Sequence, residues 1–193
     1  MLDNLKKYNI VLASKSPRRQ ELMKEIGLEF SVLTKDVDES YSSHLSVFDV
    51  APYLSVKKAR AFEEDELPDN YMIITADTVV VIDDKILGKP KDEKEAREML
   101  VTMSGKKHSV ITGVTVLTKD KVKTFSAISK VVFEKLDNEE IDFYVSNYKP
   151  FDKAGSYGIQ EWIGYIGVAC VEGSYFNVMG LPTQKLYKVL KTF

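Results

Sequence analysis

The segment MIITADTVVVI at residues 72–82 constrains the fold more than any other part of the chain, because it is almost entirely apolar and rich in β-branched side chains. Such a run is typical of a central strand in a packed sheet. A single carboxylate, Asp77, interrupts the run at its middle. A carboxylate inside a sheet is costly unless it is paired, so we interpret Asp77 as a functional acid or a metal ligand. The alternative is an acid in a turn at the end of a strand.

Helices and strands alternate along the rest of the chain. The predicted strands cover residues 8–13, 30–34, 72–82, 108–117, 122–133 and 163–171. The predicted helices cover residues 17–26, 47–64, 92–103 and 137–146, and a last one begins after Pro182. A polar turn at 118–121 joins two of the strands as a hairpin. This order predicts an α/β protein with a single, bilobed domain over residues 1–193.

Composition excludes several classes of protein. The 193 residues are 44% hydrophobic and 29% charged, which suffices for one substantial core. The formal net charge of −2 argues against nucleic acid as a partner. No apolar run approaches the roughly 20 residues that span a bilayer, and no signal-peptide pattern opens the chain, so we expect no membrane partner. The single cysteine, Cys170, excludes an internal disulfide and suits the cytoplasm, where we expect this protein.

The segment SKSPRR at residues 14–19 begins a helix with an unusual charge. Ser16 is a good N-cap, and Pro17 suits the first helical position because its missing N–H would be unpaired there. Arg18 and Arg19 then place two positive charges at the positive end of the helix dipole, where acidic residues are favoured. A bound anion would make this arrangement favourable, and a helix N-terminus is a ready site for phosphate.

A second charge interrupts the helix predicted for residues 47–64. Lys58 stands four residues after Leu54 and four before Phe62, so it lies on the apolar side of that helix. A lysine in this position is expensive unless it is paired or faces a polar cleft. The alternative is a lysine that snorkels past the edge of the helix.

These charges together indicate a ligand with several phosphates. Lys89, in the loop GKP at 88–90, adds a further cation to the arginines and the lysine described above. Asp77 and the acidic segment DVDE at 36–39 supply carboxylates. Cations beside carboxylates suit a polyphosphate bound with a divalent metal, and ligands that are all oxygen favour Mg²⁺ or Mn²⁺.

Other catalytic patterns are missing from the sequence. Residues 104–107 read SGKK and do not complete a P-loop. Two histidines, His44 and His108, and one cysteine cannot build a typical zinc site. No GxSxG segment indicates a serine hydrolase.

Seven short segments occur in a fixed order along the chain. They read LASKSPRR at 12–19, KA at 58–59, ADT at 76–78, GKP at 88–90, SGKKH at 104–108, KAGSYGIQ at 153–160 and NVMGLP at 177–182. Together they resemble the Maf family of nucleoside triphosphate pyrophosphatases, once described as septum-formation inhibitors. The resemblance extends from about Ile10 to Leu190.

The resemblance implies an elongated mixed β-sheet flanked by helices, with two lobes around a cleft, related to the inosine-triphosphatase fold of Ham1 proteins. It implies hydrolysis of a nucleotide between its α and β phosphates, which yields a monophosphate and pyrophosphate. The forms ADT and GIQ are similar to the branch that acts on dTTP and UTP, rather than to the branch that acts on 7-methyl-GTP. Family members are often dimers, so a homodimer is a further expectation.

Roles for individual residues follow from the same resemblance. Asp77 matches the general base of the family. Lys58 and Lys89 match its phosphate-binding lysines. Glu39 matches an acidic residue implicated in metal binding, so Glu39 and Asp77 are expected to hold Mg²⁺ or Mn²⁺.

Two larger sets complete the predicted site. The expected phosphate-binding residues are Ser14, Ser16, Arg18, Arg19, Lys58 and Lys89. The positions linked to substrate choice are Arg18, Thr78 and Gln160. The chain departs from the family after Gln160, where Glu161 replaces the usual glycine; an acid there could alter the loop or repel substrate.

The residues leave two other functions open. One is a nucleotide-binding regulator of cell division with little catalysis. The other is a house-cleaning pyrophosphatase for modified purine triphosphates, and modified pyrimidine nucleotides are further possible substrates of the dTTP/UTP type.

Overall fold

The computed structural model of the protein describes residues 2–63 and 67–193. The strands are β1 (Asn9–Leu12), β2 (Ser31–Val32), β3 (Tyr71–Ile82), β4 (Lys85–Leu87), β5 (Lys107–Thr118), β6 (Val122–Phe133) and β7 (Val168–Glu172). The helices are α1 (Pro17–Glu25), α2 (Val50–Arg60), α3 (Glu93–Met103), α4 (Asn138–Tyr148), α5 (Trp162–Gly167), α6 (Tyr175–Val178) and α7 (Thr183–Leu190).

The strands form one seven-stranded sheet. Its order is β2-β1-β3-β5-β6-β7, and β4 pairs with β3. The sheet is mixed, because β1 runs parallel to β2 and β3, whereas β4 runs antiparallel to β3 and β7 antiparallel to β6. The predicted α/β class with a mixed sheet and helices is confirmed.

The chain divides into two compact units, and β3, β5 and β6 contribute residues to both. Unit 1 comprises Met1–Asp77, Thr112–Ala127 and Gly180–Phe193. Unit 2 comprises Thr78–Ile111 and Ile128–Met179.

In unit 1, helix α1 begins where the sequence predicts. Pro17 is its first residue, and the Ser16 hydroxyl accepts a hydrogen bond from the backbone N–H of Arg19 at 3.5 Å. Helix α2 approaches strand β5 so closely that a Cβ added at Gly113 would lie 2.2 Å from the backbone nitrogen of Pro52. A glycine at 113 therefore lets α2 lie against the sheet, and this contact positions the side chains of α2 that matter below.

In unit 2, helices α3 and α4 pack on the sheet through an apolar core that includes Leu100, Phe133 and Tyr144. The Asp137 side chain accepts a hydrogen bond from the backbone of Glu140 and the Glu140 side chain accepts one from the backbone of Asp137, a capping box that starts α4. This reciprocal cap explains why the sequence predicts the start of α4 correctly.

The cap of α3 is only half of a capping box. The Asp92 carboxylate accepts a hydrogen bond from the Glu95 backbone at 2.8 Å. The Glu95 carboxylate accepts one from the backbone N–H of Lys91 at 2.7 Å, one residue earlier than a capping box requires.

The strand predicted for residues 163–171 is wrong over its first half. Residues Trp162–Gly167 form helix α5, and β7 begins at Val168. Isoleucine, tyrosine and valine in this segment favour a strand. Gly164, however, lies so close to the preceding loop that a Cβ there would be 1.8 Å from the carbonyl oxygen of Ile159, and its N–H donates to Glu161 O at 2.8 Å. The tight turn favours a helix over an extended chain.

The predicted start of helix α2 also changes. Helix α2 begins at Val50, three residues later than the predicted start at Val47, and the predicted end at Glu64 lies outside the described residues. Strand β4 and helix α6 were not predicted. Over residues 2–63 and 67–193, none of the helices combines the length and apolar character that crossing a membrane requires.

Candidate active site

Lys58 lies between two carboxylates in unit 1. Its Nζ is 2.5 Å from Oδ1 of Asp77 and 2.8 Å from Oε1 of Glu39. The side chains of Lys58 and Asp77 are only 18% and 11% exposed, whereas that of Glu39 is 50% exposed. Lys58 is therefore paired rather than snorkelling, and Asp77 is its partner in the middle of β3 rather than an acid in a turn. The three groups together carry one net negative charge, which suits a cationic ligand on their exposed side.

Buried hydrogen bonds fix α2 on β3 next to this ion pair. The Thr75 hydroxyl donates to the carbonyl oxygen of Ser55 at 2.7 Å. Thr75 and Asp77 are two residues apart on β3 and share a face, and Ser55 lies one turn before Lys58 on α2. The Ser55 hydroxyl also bonds the hydroxyl of Thr115 at 2.9 Å. These contacts hold the helix and the strand in the register that lets Lys58 reach Asp77.

The acidic segment 36–39 is bound by lysines. Lys57 pairs with Asp38 and Lys15 pairs with Asp36, each at 2.9 Å. Hydrogen bonds from Ser40 and from Lys57 lower the pKa of the Asp38 carboxyl to about 2. Consecutive lysines of α2 thus bind consecutive acids of this segment, and the pairing of Lys58 with Glu39 belongs to the same pattern.

Arg19 is anchored by the backbone of unit 1. Its Nε donates to Gly180 O at 2.8 Å, and its Nη1 donates to Ala76 O at 2.8 Å and to the Ser14 hydroxyl at 3.4 Å. Burial lowers the pKa of the Arg19 guanidinium, and the Asp77 carboxylate acts in the opposite direction. Arginine keeps its charge at neutral pH, so a fixed positive charge lies near Asp77.

The start of α1 gathers the other predicted phosphate-binding residues of unit 1. The Ser14 hydroxyl accepts a hydrogen bond from the backbone N–H of Ser16 at 3.2 Å. Arg18 is half-buried in the first turn and lies near enough to Arg19 to lower its pKa. The carboxylate of Glu39 raises that same pKa. The first turn of α1 therefore lies close enough to Asp77 and Glu39 for their charges to interact with Arg19.

Three predicted residues belong to unit 2. Lys89 is exposed after β4, and Thr78 is half-buried on β3, directly after Asp77. Oε1 of Gln160 is buried and has no hydrogen-bond partner among the residues that the structure describes. A buried amide oxygen without a partner is costly, and a donor on a ligand can satisfy it. The roles of these residues stay predictions.

The sequence did not predict a polar cluster around the loop 153–161. The Tyr144 hydroxyl donates to Oε2 of Glu161, and Nζ of Lys153 lies 3.1 Å from Oε1 of the same carboxylate. In the sequence, the opposite charges of Lys153 and Glu161 at the two ends of a glycine-rich loop were a signal for this ion pair. Tyr144 gave none, because a tyrosine also fits the apolar face of α4.

The carboxylate oxygens of Asp77 and Glu39 are suitable ligands for a divalent cation. Carboxylate oxygens are the ligands that Mg²⁺ and Mn²⁺ prefer. No group of three or more His, Cys, Asp or Glu side chains that could hold a metal occurs within the described ranges. Mg²⁺ is commonly bound by one or two carboxylates together with phosphates of the substrate, so two carboxylates suit a cation that binds together with a nucleotide.

Comparison with known proteins identifies relatives over nearly the whole chain. The family model described as Maf-like protein matches residues 9–193. A dTTP/UTP pyrophosphatase of Phocaeicola vulgatus is 52% identical over 192 residues, which cover 99% of each chain. The protein of the same name from Parabacteroides distasonis is 51% identical over 194 residues, with 100% of each chain covered. That of Flavobacterium johnsoniae is 47% identical over 190 residues, or 98% of this chain and 97% of the relative.

Solved structures confirm the predicted fold type. The structure of a HAM1 protein from Coxiella burnetii superposes with a TM-score of 0.51 and covers 96% of this chain and 100% of its own. The sequence identity is 14%, so this similarity concerns the fold alone.

Proposed function

The chain belongs to the Maf family, and we propose that it hydrolyses the anhydride between the α and β phosphates of dTTP and UTP. The products are the nucleoside monophosphate and pyrophosphate. Relatives named dTTP/UTP pyrophosphatase, 47–52% identical over nearly the full length, support the activity. The structural observation that carries the proposal is the pairing of Lys58 with the largely buried Asp77 and with the more exposed Glu39, next to the arginine-rich start of α1.

The phosphate chain binds at the start of α1 in this proposal. Arg18 presents a guanidinium suited to two hydrogen bonds with one phosphate. The Ser14 and Ser16 hydroxyls and the first amides of the helix add neutral donors. Arg19 contributes a charge whose position is fixed by two backbone carbonyls. Lys58 and Lys89 complete the set and neutralise the charge that develops on the leaving pyrophosphate.

Asp77 takes a proton from the attacking water. The hydrogen bond from Lys58 occupies one oxygen of the carboxylate, and a carboxylate has about four acceptor sites, so capacity for a water remains. General-base catalysis of this kind contributes about 10²–10⁴-fold. The water oxygen forms a bond to the α-phosphorus while the bond from that phosphorus to the bridging oxygen breaks. The bridging oxygen then leaves as part of the pyrophosphate.

Glu39 and Asp77 would hold Mg²⁺ or Mn²⁺. A bound divalent cation supplies charge neutralisation to the phosphate oxygens. The exposure of Glu39 leaves its carboxylate accessible to such an ion without unfolding of the segment around it.

Thr78 and Gln160 select the base by hydrogen bonds, and Arg18 contributes to the same choice. The buried, unpartnered Oε1 of Gln160 supports this role, since a pyrimidine with an N3–H can donate to it. A site built to bond a polar group rejects ligands that lack it, because a buried group is then left unpaired.

A panel of nucleoside triphosphates tests the proposal. Phosphate is measured after the addition of inorganic pyrophosphatase, with each substrate in turn and with Mg²⁺ or Mn²⁺ present. We expect turnover of dTTP and UTP well above that of the purine triphosphates. Preferential turnover of modified purine triphosphates would replace the proposed substrate, and binding without turnover would favour a division regulator.

The variant Asp77→Asn identifies the base. It should retain the fold and lose pyrophosphate release, because an amide cannot accept the proton. Asp36→Asn is the matched control, since Asp36 is an exposed acid that pairs with Lys15. Near-normal turnover by Asp77→Asn would show that another group activates the water.

A homodimer and a cytoplasmic location stay predictions.

A further inference from the structure

We propose that Tyr144, Glu161 and Lys153 are positioning residues that hold the loop 153–161 so that Gln160 can read the base. The inference rests on the proposed function, because it requires Gln160 to contact the nucleotide. It assigns a role to three residues that take no part in the phosphate chemistry described above.

One hydroxyl ties the loop to helix α4. The Tyr144 hydroxyl donates to Oε2 of Glu161 and accepts a hydrogen bond from the backbone N–H of Gly158 at 3.0 Å. Tyr144 is fully buried, and burial together with the bond to Glu161 raises the pKa of its hydroxyl. The hydroxyl therefore stays protonated and holds residues on both sides of Gln160.

A lysine at the other end of the loop bonds the same carboxylate. Nζ of Lys153 lies 3.1 Å from Oε1 of Glu161 and 2.8 Å from Oδ1 of Asp152, and its side chain is only 9% exposed. Lys153 and Glu161 thus close the loop by an ion pair across its ends. A desolvated pair of this kind is sensitive to the removal of either partner.

The backbone of the loop leaves space for this arrangement at Gly158. A Cβ at that position would lie 2.7 Å from Cδ of Glu161 and 3.1 Å from Nε2 of Gln160. The two side chains therefore fold back over the same glycine, which places Gln160 beside the anchored side chain of Glu161. Oε1 of Gln160, buried and unpartnered within the described part of the chain, is kept as an acceptor for a ligand.

The negative charge of Glu161 is compensated by Lys153, and both oxygens of its carboxylate have a partner in the protein. One oxygen of its carboxylate accepts from Tyr144 and the other pairs with Lys153. An acid in place of the usual glycine of the family therefore stabilises the loop that carries Gln160, and it does not act by repelling the substrate.

Base discrimination in point variants tests the proposal. Tyr144→Phe removes one hydroxyl and both of its hydrogen bonds, and we expect the ratio of kcat/KM for UTP to that for ATP to fall about tenfold, mainly through KM for UTP. Tyr148→Phe is the matched control. Its ring stacks on that of Tyr144 with centroids 5.0 Å apart, and the residue is exposed, so the ratio should not change.

A double-mutant cycle separates positioning from general stability. If Tyr144 acts through Gln160, Tyr144→Phe causes no further fall of the UTP/ATP ratio in a Gln160→Ala background. An equal fall in that background, or an unchanged ratio in the single variant, overturns the proposal. If Tyr144→Phe does not fold, Glu161→Gln is measured by the same ratio and the same cycle.

The two proposals fail in different ways. A wild-type protein that turns over neither dTTP nor UTP overturns the proposed function and this inference with it. A wild-type protein that prefers UTP, with a ratio unaffected by Tyr144→Phe, overturns the inference alone.

Discussion

The ammonium nitrogen of Lys58 on α2 lies 2.5 Å from Oδ1 of Asp77 in the middle of β3. Each residue is unfavourable in its own element, since one places a cation on the apolar side of a helix and the other a carboxylate inside a buried strand. The contact across 19 positions of sequence makes each the partner of the other. A charged pair that replaces apolar packing adds little stability by itself, which favours the proposed chemical role of this pair over a purely structural one.

Replacement of Lys58 by methionine should abolish most of the activity. Lys58→Met keeps the length of the side chain and removes the charge that orients Asp77 and would bind phosphate. We expect kcat/KM for dTTP to fall by about 10²–10³, as when one donor to a developing charge is lost. The measurement is pyrophosphate release at fixed Mg²⁺.

Lys57→Met is the matched control for that variant. Lys57 precedes Lys58 in the same helix and also pairs with an acid of the segment 36–39, namely Asp38. It bonds neither Asp77 nor Glu39 in the contacts described above. We expect kcat/KM within about twofold of wild type, because exposed ion pairs contribute little. Equal losses in the two variants would assign the effect to the acidic segment instead of to Lys58.

Replacement of Arg19 by lysine should separate anchoring from charge. Arg19→Lys retains a cation but cannot reach Gly180 O, Ala76 O and the Ser14 hydroxyl together, and buried carbonyls that lose a donor destabilise the fold by about 1–3 kcal/mol. Urea unfolding measures this loss. Arg18→Lys should lower kcat/KM, since its proposed ligand is the substrate, and we expect it to lose less stability than Arg19→Lys, which leaves buried carbonyls without a donor. Identical unfolding midpoints for the two variants would contradict the difference in roles.

Much of the fold could be predicted from local signals. Ser16 and Asp137 mark helix starts through short-range hydrogen bonds that any reader of the sequence can anticipate, and β3 follows from its apolar run. The residues of α5 misled the prediction because their side chains favour a strand. The decisive contact, Gly164 against Ile159 O, involves only backbone atoms and has no pattern in the sequence.

In the candidate site, too, some residues could be predicted from the sequence and others could not. Lys58 and Asp77 could be found because each charge breaks an apolar pattern, and the structure pairs them. The anchoring of Arg19 could not be found, since its acceptors are carbonyl oxygens that only the folded backbone brings near α1. Tyr144 is a similar case, because its hydroxyl reaches Glu161 from a helix whose pattern predicts only an apolar core.

Buried His108 should make stability depend on pH. Its Nε2 hydrogen-bonds the Tyr157 hydroxyl at 2.8 Å, its ring packs edge-on against Phe133, and burial lowers its pKa from 6.5 to about 4. Between these values the unfolded chain binds the proton and the folded chain does not, so stability is full above pH 6.5 and is lost as the pH falls toward 4. From pH 7 to pH 5 the loss of stability from this group is about 2 kcal/mol.

Urea unfolding at both pH values measures the total change in stability. His108→Gln should reduce that change by about this amount, whereas His44→Gln, at an exposed position, should leave it as in wild type. Equal pH dependence in all three proteins would show that the pKa of His108 is the same in the folded and the unfolded chain.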